Sequence, residues 1–235
     1  TNQRPHFTIG VERVPSSGGD GSPLEIETGP VAGCLQGQTL HLTGDTFSAH
    51  FDFKARCGLI RHPLNLTPLD LTLKAIYAYY LLPEEAFFLH ACAIVRKGRG
   101  YLFFGPSGSG KSTLARLAGD GVLADELVIV RKQTGRDGSP YAVFGTPFWG
   151  GMYVAAPLAK LFVLRFDRRS TALTPLTPVQ ALRRLLPCIG SFIPDGRYEA
   201  GLFGLASWLV QQIPCHELRF SSESSLERWL DASAG

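Results

Sequence analysis

Gly105-Pro106-Ser107-Gly108-Ser109-Gly110-Lys111-Ser112-Thr113 stands between an apolar run, Gly100-Tyr101-Leu102-Phe103-Phe104, and a mixed run, Thr113-Leu114-Ala115-Arg116-Leu117-Ala118. The stretch satisfies G-x-x-x-x-G-K-[ST], and its flanks predict a buried strand before it and a helix after it, the setting this pattern requires. Glycines let consecutive backbone N–H groups turn inward around a phosphate, and the helix N-terminus adds partial positive charge. The reading therefore predicts a nucleoside triphosphate site built from Gly105, Pro106, Ser107, Gly108, Ser109, Gly110, Lys111, Ser112 and Thr113. Lys111 is expected to reach the β- and γ-phosphates, and the Ser112 hydroxyl to ligate Mg²⁺.

Outside the loop, 235 residues suffice for one large core or for a domain and a half. The 45% hydrophobic and 18% charged content excludes a disordered chain. A net charge of +3, with no long Lys/Arg run, argues against a nucleic-acid partner. Cys34, Cys57, Cys92, Cys188 and Cys215 form no C-x-x-C pair, so neither a disulfide framework nor a zinc site is expected. No apolar stretch reaches transmembrane length and the first ten residues lack a signal core, which predicts a cytoplasmic protein without a membrane partner.

Residues 1–66 alternate short apolar pieces with turn residues. Thr39–Thr43 and Ser48–Phe53 show period-two alternation, and Gly37-Gln38 and Gly44-Asp45 suit hairpin turns, so a small antiparallel β region is expected here. Thr67-Pro68 opens a helix that runs to Pro83; residues 67–235 are read as the nucleotide-binding domain. Within it, strands are expected over 87–95 and 100–104 (a hairpin), 122–130, 141–145, 161–166 and 216–220. Helices are expected after the loop, over 178–186 and 200–212, and in the tail over 224–232. The fold class is thus α/β with a mixed, α+β-like sheet.

Phosphoryl transfer needs a carboxylate for the metal and a group to handle the nucleophile's proton. Asp125 and Glu126 are the leading candidates. They interrupt Val122-Leu123-Ala124 and Leu127-Val128-Ile129-Val130, where burying carboxylates is costly without a cation. As neighbours in a strand they are expected to face opposite ways, one toward the acceptor hydroxyl and one toward Mg²⁺. His90, inside Phe87–Val95, is equally well read as a core histidine or as a site residue. Asp167, at the end of 161–166, is the rival metal carboxylate in the Walker B position.

The ordered set Leu89-His90-Ala91-Cys92-Ala93, phosphate loop, Leu123-Ala124-Asp125-Glu126 resembles the catalytic domain of HPr kinase/phosphorylase. Gly145-Thr146-Pro147-Phe148-Trp149-Gly150-Gly151 and Ile213–Phe220 look more like the stand-alone HPr-kinase-related proteins, including those that accompany ribosomally made modified peptides. The resemblance covers roughly residues 67–230 and implies a phosphoenolpyruvate-carboxykinase-like P-loop fold. It gives Asp125 the role of general base, His90 that of the active-site histidine, and Lys111 that of a catalytic cation. Asp125, Glu126 and Ser112 become the metal-binding set. Glu126 stands where the family has a second Asp, Thr113 where the bifunctional enzymes commonly have Glu, and their Arg/Gly-rich second signature has no counterpart.

The function expected from this resemblance is an ATP- and Mg²⁺-dependent kinase acting on a hydroxyl, chiefly a serine of a small protein or peptide, such as a ribosomally made precursor. A non-catalytic ATP-dependent peptide-binding module and a small-molecule kinase are the alternatives. The bifunctional relatives form rings, so a homo-oligomer is compatible with the residues, which leave the oligomeric state open.

Overall fold

The structure is a computed structural model and describes residues 7–14, 31–62, 66–133, 139–146, 152, 154–167 and 172–220. It is a mixed α/β protein with two mixed sheets and few helices. Its contacts divide the chain into one unit of residues 1–80 and 191–199 and a second of 81–190 and 200–235. The helix expected to open the second domain thus groups with the first unit.

In the first unit, β1 (Thr8–Arg13), β2 (Ala32–Gln36), β3 (Thr39–Thr43), β4 (Ser48–Asp52) and β5 (Cys57–His62) form a sheet in the order β1-β5-β4-β3-β2. Strands β2 to β5 are antiparallel, as the alternation predicts, but β1 runs parallel to β5. No local pattern encodes that pairing. Leu40, Leu42, Ala49, Phe51 and Ile60 project from one face onto Ala75 and Ile76 of α1 (Leu66–Leu81). Tyr79 stacks on Phe53 at 3.5 Å between ring centroids and Tyr80 meets it edge-on, so the tyrosine pair belongs to this core.

The second unit opens with β6 (Ala86–Leu89), β7 (Ala91–Arg96) and β8 (Arg99–Phe104). The β7–β8 hairpin closes on Lys97-Gly98 with positive φ at both residues, the turn that suits a two-residue connection. Next come α2 (Lys111–Ala118), β9 (Val122–Ala124), β10 (Val128–Lys132), β11 (Tyr141–Gly145) and β12 (Ala155–Phe166). The unit ends with β13 (Ala172–Pro175), α3 (Pro178–Leu185), α4 (Gly196–Gln212, whose first turn groups with the first unit) and β14 (Cys215–Phe220). The strand order is β6-β10-β11-β12-β8-β7-β9, with β14 beside β12 and β13 beside β14. Strands β8, β12 and β14 are mutually parallel.

The expected strands 87–95 and 122–130 are each two strands, and this corrects the sequence reading. Phe88 pairs with Ile129 and Leu89 with Val128 at one end of the ribbon, Ala93 with Ala124 and Ile94 with Val122 at the other. Between them the ladder opens at His90 and at Asp125-Glu126, because β6 and β10 continue toward β11 while β7 and β9 continue from β8. Other segments take up the released backbone groups. His90 N–H donates to Cys188 C=O (2.8 Å), and Gly190 N–H to Phe88 C=O (3.0 Å). Thr146 Oγ1 donates to Leu127 C=O (2.7 Å), and Met152 N–H to Leu123 C=O (2.7 Å). Burial makes such completion obligatory. Gly145 is glycine for a spatial reason: a Cβ there would run into the Met152 carbonyl oxygen.

A core of Tyr101, Phe103, Phe162, Leu164, Leu218 and Phe220 lies under Leu114 and Ala115 of α2. The opposite face of β14 meets α3, which starts on a capping box: Thr177 accepts from Gln180 N–H, and Gln180 Oε1 accepts from Thr177 N–H. The expected tail helix over 224–232 and the turns at 16–23 and 135–138 lie outside the described residues. So does most of 145–151.

Candidate functional site

Parallel strands β8 and β12 bring Phe104 level with Val163, and the loop 105–110 crosses their carboxyl ends into α2. This is where open sheets with parallel strands present ligand sites. Gly110 holds φ +98°, and a Cβ there would lie 2.6 Å from Phe220 Cζ, so the turn into the helix fits against the aromatic core only as glycine. Gly108 also has positive φ, with open space where a Cβ would stand, and the exposed Pro106-Ser107-Gly108 tip faces outward. Lys111 is buried. Its Nζ donates to Gly105 C=O at 2.9 Å and to Pro106 C=O at 3.3 Å. Ser109 Oγ is buried without a partner inside the loop.

A cleft of about 310 Å³ opens over the loop, lined by Ser107, Gly108, Gly110, Lys111, Ser112 and Thr113, with His90 and Glu126 opposite. The opened ladder supplies that second wall. His90 Nδ1 lies 3.3 Å from Glu126 Oε1, with both side chains partly exposed. Asp125 is half-buried and does not line the cleft. Its charge is felt instead by Cys92, whose thiol is pushed up to about 12, first by burial and then by Asp125, with Lys111 opposing. Cys188 is raised by burial as well, offset by a hydrogen bond with the Gly105 backbone and by Lys111. Both thiols lie beneath the loop, and both are protonated at neutral pH.

Two readings of the sequence change here. Asp125 and Glu126 sit in a bend between β9 and β10 and not on one strand, so strand alternation does not set their directions. His90 sits at the break between β6 and β7, partly exposed and lining the cleft, so of its two readings the geometry favours the site residue over the core histidine. Asp167 follows β12, its N–H donating to Phe220 C=O, and does not line the cleft. Sequence reasoning missed Cys188, whose carbonyl fixes the His90 backbone, and Thr146, which holds the Leu127 carbonyl beside Glu126. Both act through backbone groups across large sequence separations, and no local pattern signals that.

Among the described residues no three His, Cys, Asp or Glu side chains group to hold a metal by themselves. Mg²⁺ does not ask for such a cage, since it binds through one or two carboxylates together with substrate phosphates and water. The hard oxygen donors near the loop, Ser112, Glu126 and Asp125, fit that demand. None of the described helices is long and apolar enough to cross a membrane. A scan against protein-family models finds no match to this chain, and a search of the curated proteins finds none either.

Proposed function

We propose that this chain is an ATP- and Mg²⁺-dependent kinase of the HPr-kinase-like kind, with a phosphoenolpyruvate-carboxykinase-like P-loop domain, transferring the γ-phosphoryl group to a serine hydroxyl of a peptide or small protein. One observation carries the reading: the phosphate loop and the His90–Glu126 pair line the same cleft, 3.3 Å separating the imidazole from the carboxylate. A phosphate cradle alone suits any nucleotide binder. An acid–base pair facing it across a cleft suits transfer to a hydroxyl.

The loop amides and Lys111 receive the phosphates, and the longer Lys111 contact, to Pro106 C=O, is the one the ammonium exchanges for a phosphate oxygen. Ser112, which lines the cleft, would hold the metal, and Asp125, set back from the cleft, would act on the metal's shell through water. Mg²⁺, when bound, neutralises charge building on the phosphate oxygens. The acceptor's proton passes to the His90–Glu126 pair, in which the carboxylate steadies the imidazolium that forms. This departs from the resemblance, which gives that role to Asp125. The departure follows from Glu126 lining the cleft while Asp125 does not.

The test is transfer of labelled phosphate from ATP to serine-containing peptides by the wild type, His90→Ala, Glu126→Gln and Asp125→Asn. Loss of the general base costs about 10²–10⁴ in rate. His90→Ala and Glu126→Gln should each lose that much, with the double variant little worse, and Asp125→Asn should chiefly raise the Mg²⁺ requirement. An active His90→Ala beside a dead Asp125→Asn would return the base role to Asp125. Failure to bind nucleotide at all would end the kinase reading.

A further inference from the structure

The carboxyl ends of β12 and β14 carry a second charged feature, on the face opposite the phosphate loop's helix. Phe162, Leu164, Leu218 and Phe220 point into the core beneath α2, so the alternate residues Arg165, Glu217 and Arg219 point to the other side. Arg165 and Arg219 are directly opposite one another in the parallel register. Like charges so placed repel. Arg184 of α3 joins them, its Nη1 4.0 Å from Glu217 Oε2, while Arg219 Nε lies 3.2 Å from Glu217 Oε1. One carboxylate, itself 12% exposed, therefore serves two guanidiniums, and Arg165 is exposed and makes no ion pair among the described residues. Among the described residues, three arginines against Glu217 and Asp167, the latter two residues beyond Arg165 on the same side, still leave the patch net positive.

Ion pairing does not explain this arrangement, since a neutral residue at 165 would remove the repulsion without breaking a hydrogen bond or ion pair among the described residues. Its position suggests a role. Arg165 lies just beyond Leu164, whose carbonyl borders Gly105, so the patch is level with the phosphate loop on the reverse face of the sheet. None of the three arginines lines the nucleotide cleft. Small Ala172 of β13 pairs with Arg219 and leaves its guanidinium reachable from outside. Planar guanidiniums take carboxylates two bonds at a time. An extended chain presents same-side carboxylates about 7 Å apart, within the span of side chains on neighbouring strands. A nucleic acid would ask for a longer basic track.

We infer that Arg165, Arg184 and Arg219 form a docking site for an acidic peptide segment. On the kinase reading proposed above, that segment belongs to the phosphoacceptor and holds its serine-bearing part near the loop. The site is tested without nucleotide, so its failure and the failure of the kinase reading are separable. Fluorescence anisotropy would compare a labelled Asp/Glu-rich decapeptide with a Ser/Gly decapeptide of equal length, at two salt concentrations. The acidic peptide should bind selectively and more weakly at high salt. Arg165→Glu/Arg219→Glu should weaken it about tenfold or more, and Arg99→Glu, the same kind of charge change on the distant β7–β8 turn, should not. Arg165→Gln, which removes only the unpaired guanidinium, serves where the double variant misfolds and should weaken binding severalfold. Equal binding of both peptides, or full binding by Arg165→Gln, overturns the inference. Tighter binding of a single-stranded oligonucleotide would replace it with a nucleic-acid site, and loss of ATP binding in Arg165→Gln would assign the patch to the nucleotide instead.

Discussion

Replacing Gly110 by alanine separates the two demands made on the phosphate loop. The residue holds φ +98°, and left-handed backbone costs an L-residue roughly 1–2 kcal/mol. The added Cβ would also lie 2.6 Å from Phe220 Cζ and 3.1 Å from Cε1, whereas carbon atoms rest at about 3.5–4.0 Å. Phe220 is fully buried and must move by about 1 Å, which at overpacked core positions costs about 1–3 kcal/mol. The sum, about 2–5 kcal/mol, falls on the conformation that aims the loop amides inward, so nucleotide affinity should drop roughly 30- to 4,000-fold. Titration with a fluorescent ATP analogue measures the drop, and thermal unfolding of the same samples shows how much strain the core absorbs. Phe220→Leu shortens the obstructing ring at a cost of about 1 kcal/mol to the core. In the Gly110→Ala background it should restore affinity by at least about fivefold, leaving the backbone portion of the loss in place. Gly110→Ala binding within twofold of wild type, or no recovery with Phe220→Leu, would refute the claim that the aromatic core shapes the loop.

Three further perturbations follow from the same geometry. Lys111→Met should remove the stabilisation that nucleotide confers, which at a hundredfold excess over Kd is about 2.7 kcal/mol in the wild type; melting with and without MgATP checks this, and an undiminished shift would contradict the assigned cation. Thr177→Ala breaks the capping box of α3 and should cost about 0.5–2 kcal/mol in urea unfolding, with Thr177→Ser recovering most of it. His216 is held neutral: burial and the neighbouring Lys160 depress its affinity for protons, and its Nδ1 is shielded without a partner. The unfolded chain binds a proton there more readily, so this contribution is intact above the ordinary histidine range and is lost as pH falls through it toward the depressed folded value. Urea unfolding at pH 7.5 and 5 should show that loss reduced in His216→Gln; an unchanged difference would show that other groups govern it.

How far the sequence reveals this molecule depends on how local each determinant is. The strand, loop and helix around residues 100–118 are legible because Gly105, Gly110, Lys111 and Ser112 lie within a few residues of one another, and the flanking runs read as strand and helix without outside help. The hairpin at Lys97-Gly98 and the cap at Thr177 are legible for the same reason. The breaks at His90 and Asp125-Glu126 are not, because the residues on both sides are equally apolar and only the exchange of neighbouring strands ends each ladder. The first half of β12, with Pro157 inside it, and the short β13 also carry weak local signals. Their existence depends on β8, β11 and β14 being present to pair with them.

That difference in locality carries over to function. The loop is specified by its own residues and by the aromatic ring beneath Gly110, so the nucleotide binding proposed for it would depend on few positions. The opposite wall is held by Cys188 and Gly190 from the turn after α3 and by Thr146 and Met152 from the segment after β11, each closing a backbone group that the opened ladder leaves behind. A change in any of these should displace His90 or Glu126 while leaving the cradle whole. Thr146→Val, which keeps the shape but removes the donor to Leu127 C=O, strands a buried carbonyl at about 1–3 kcal/mol. The wall should shift to relieve it, so phosphoryl transfer should fall while nucleotide affinity stays near wild type. Equal losses in both would mean that the two walls are one mechanical unit, and the opened ladder would then be a consequence of the loop and not a separately built half of the site.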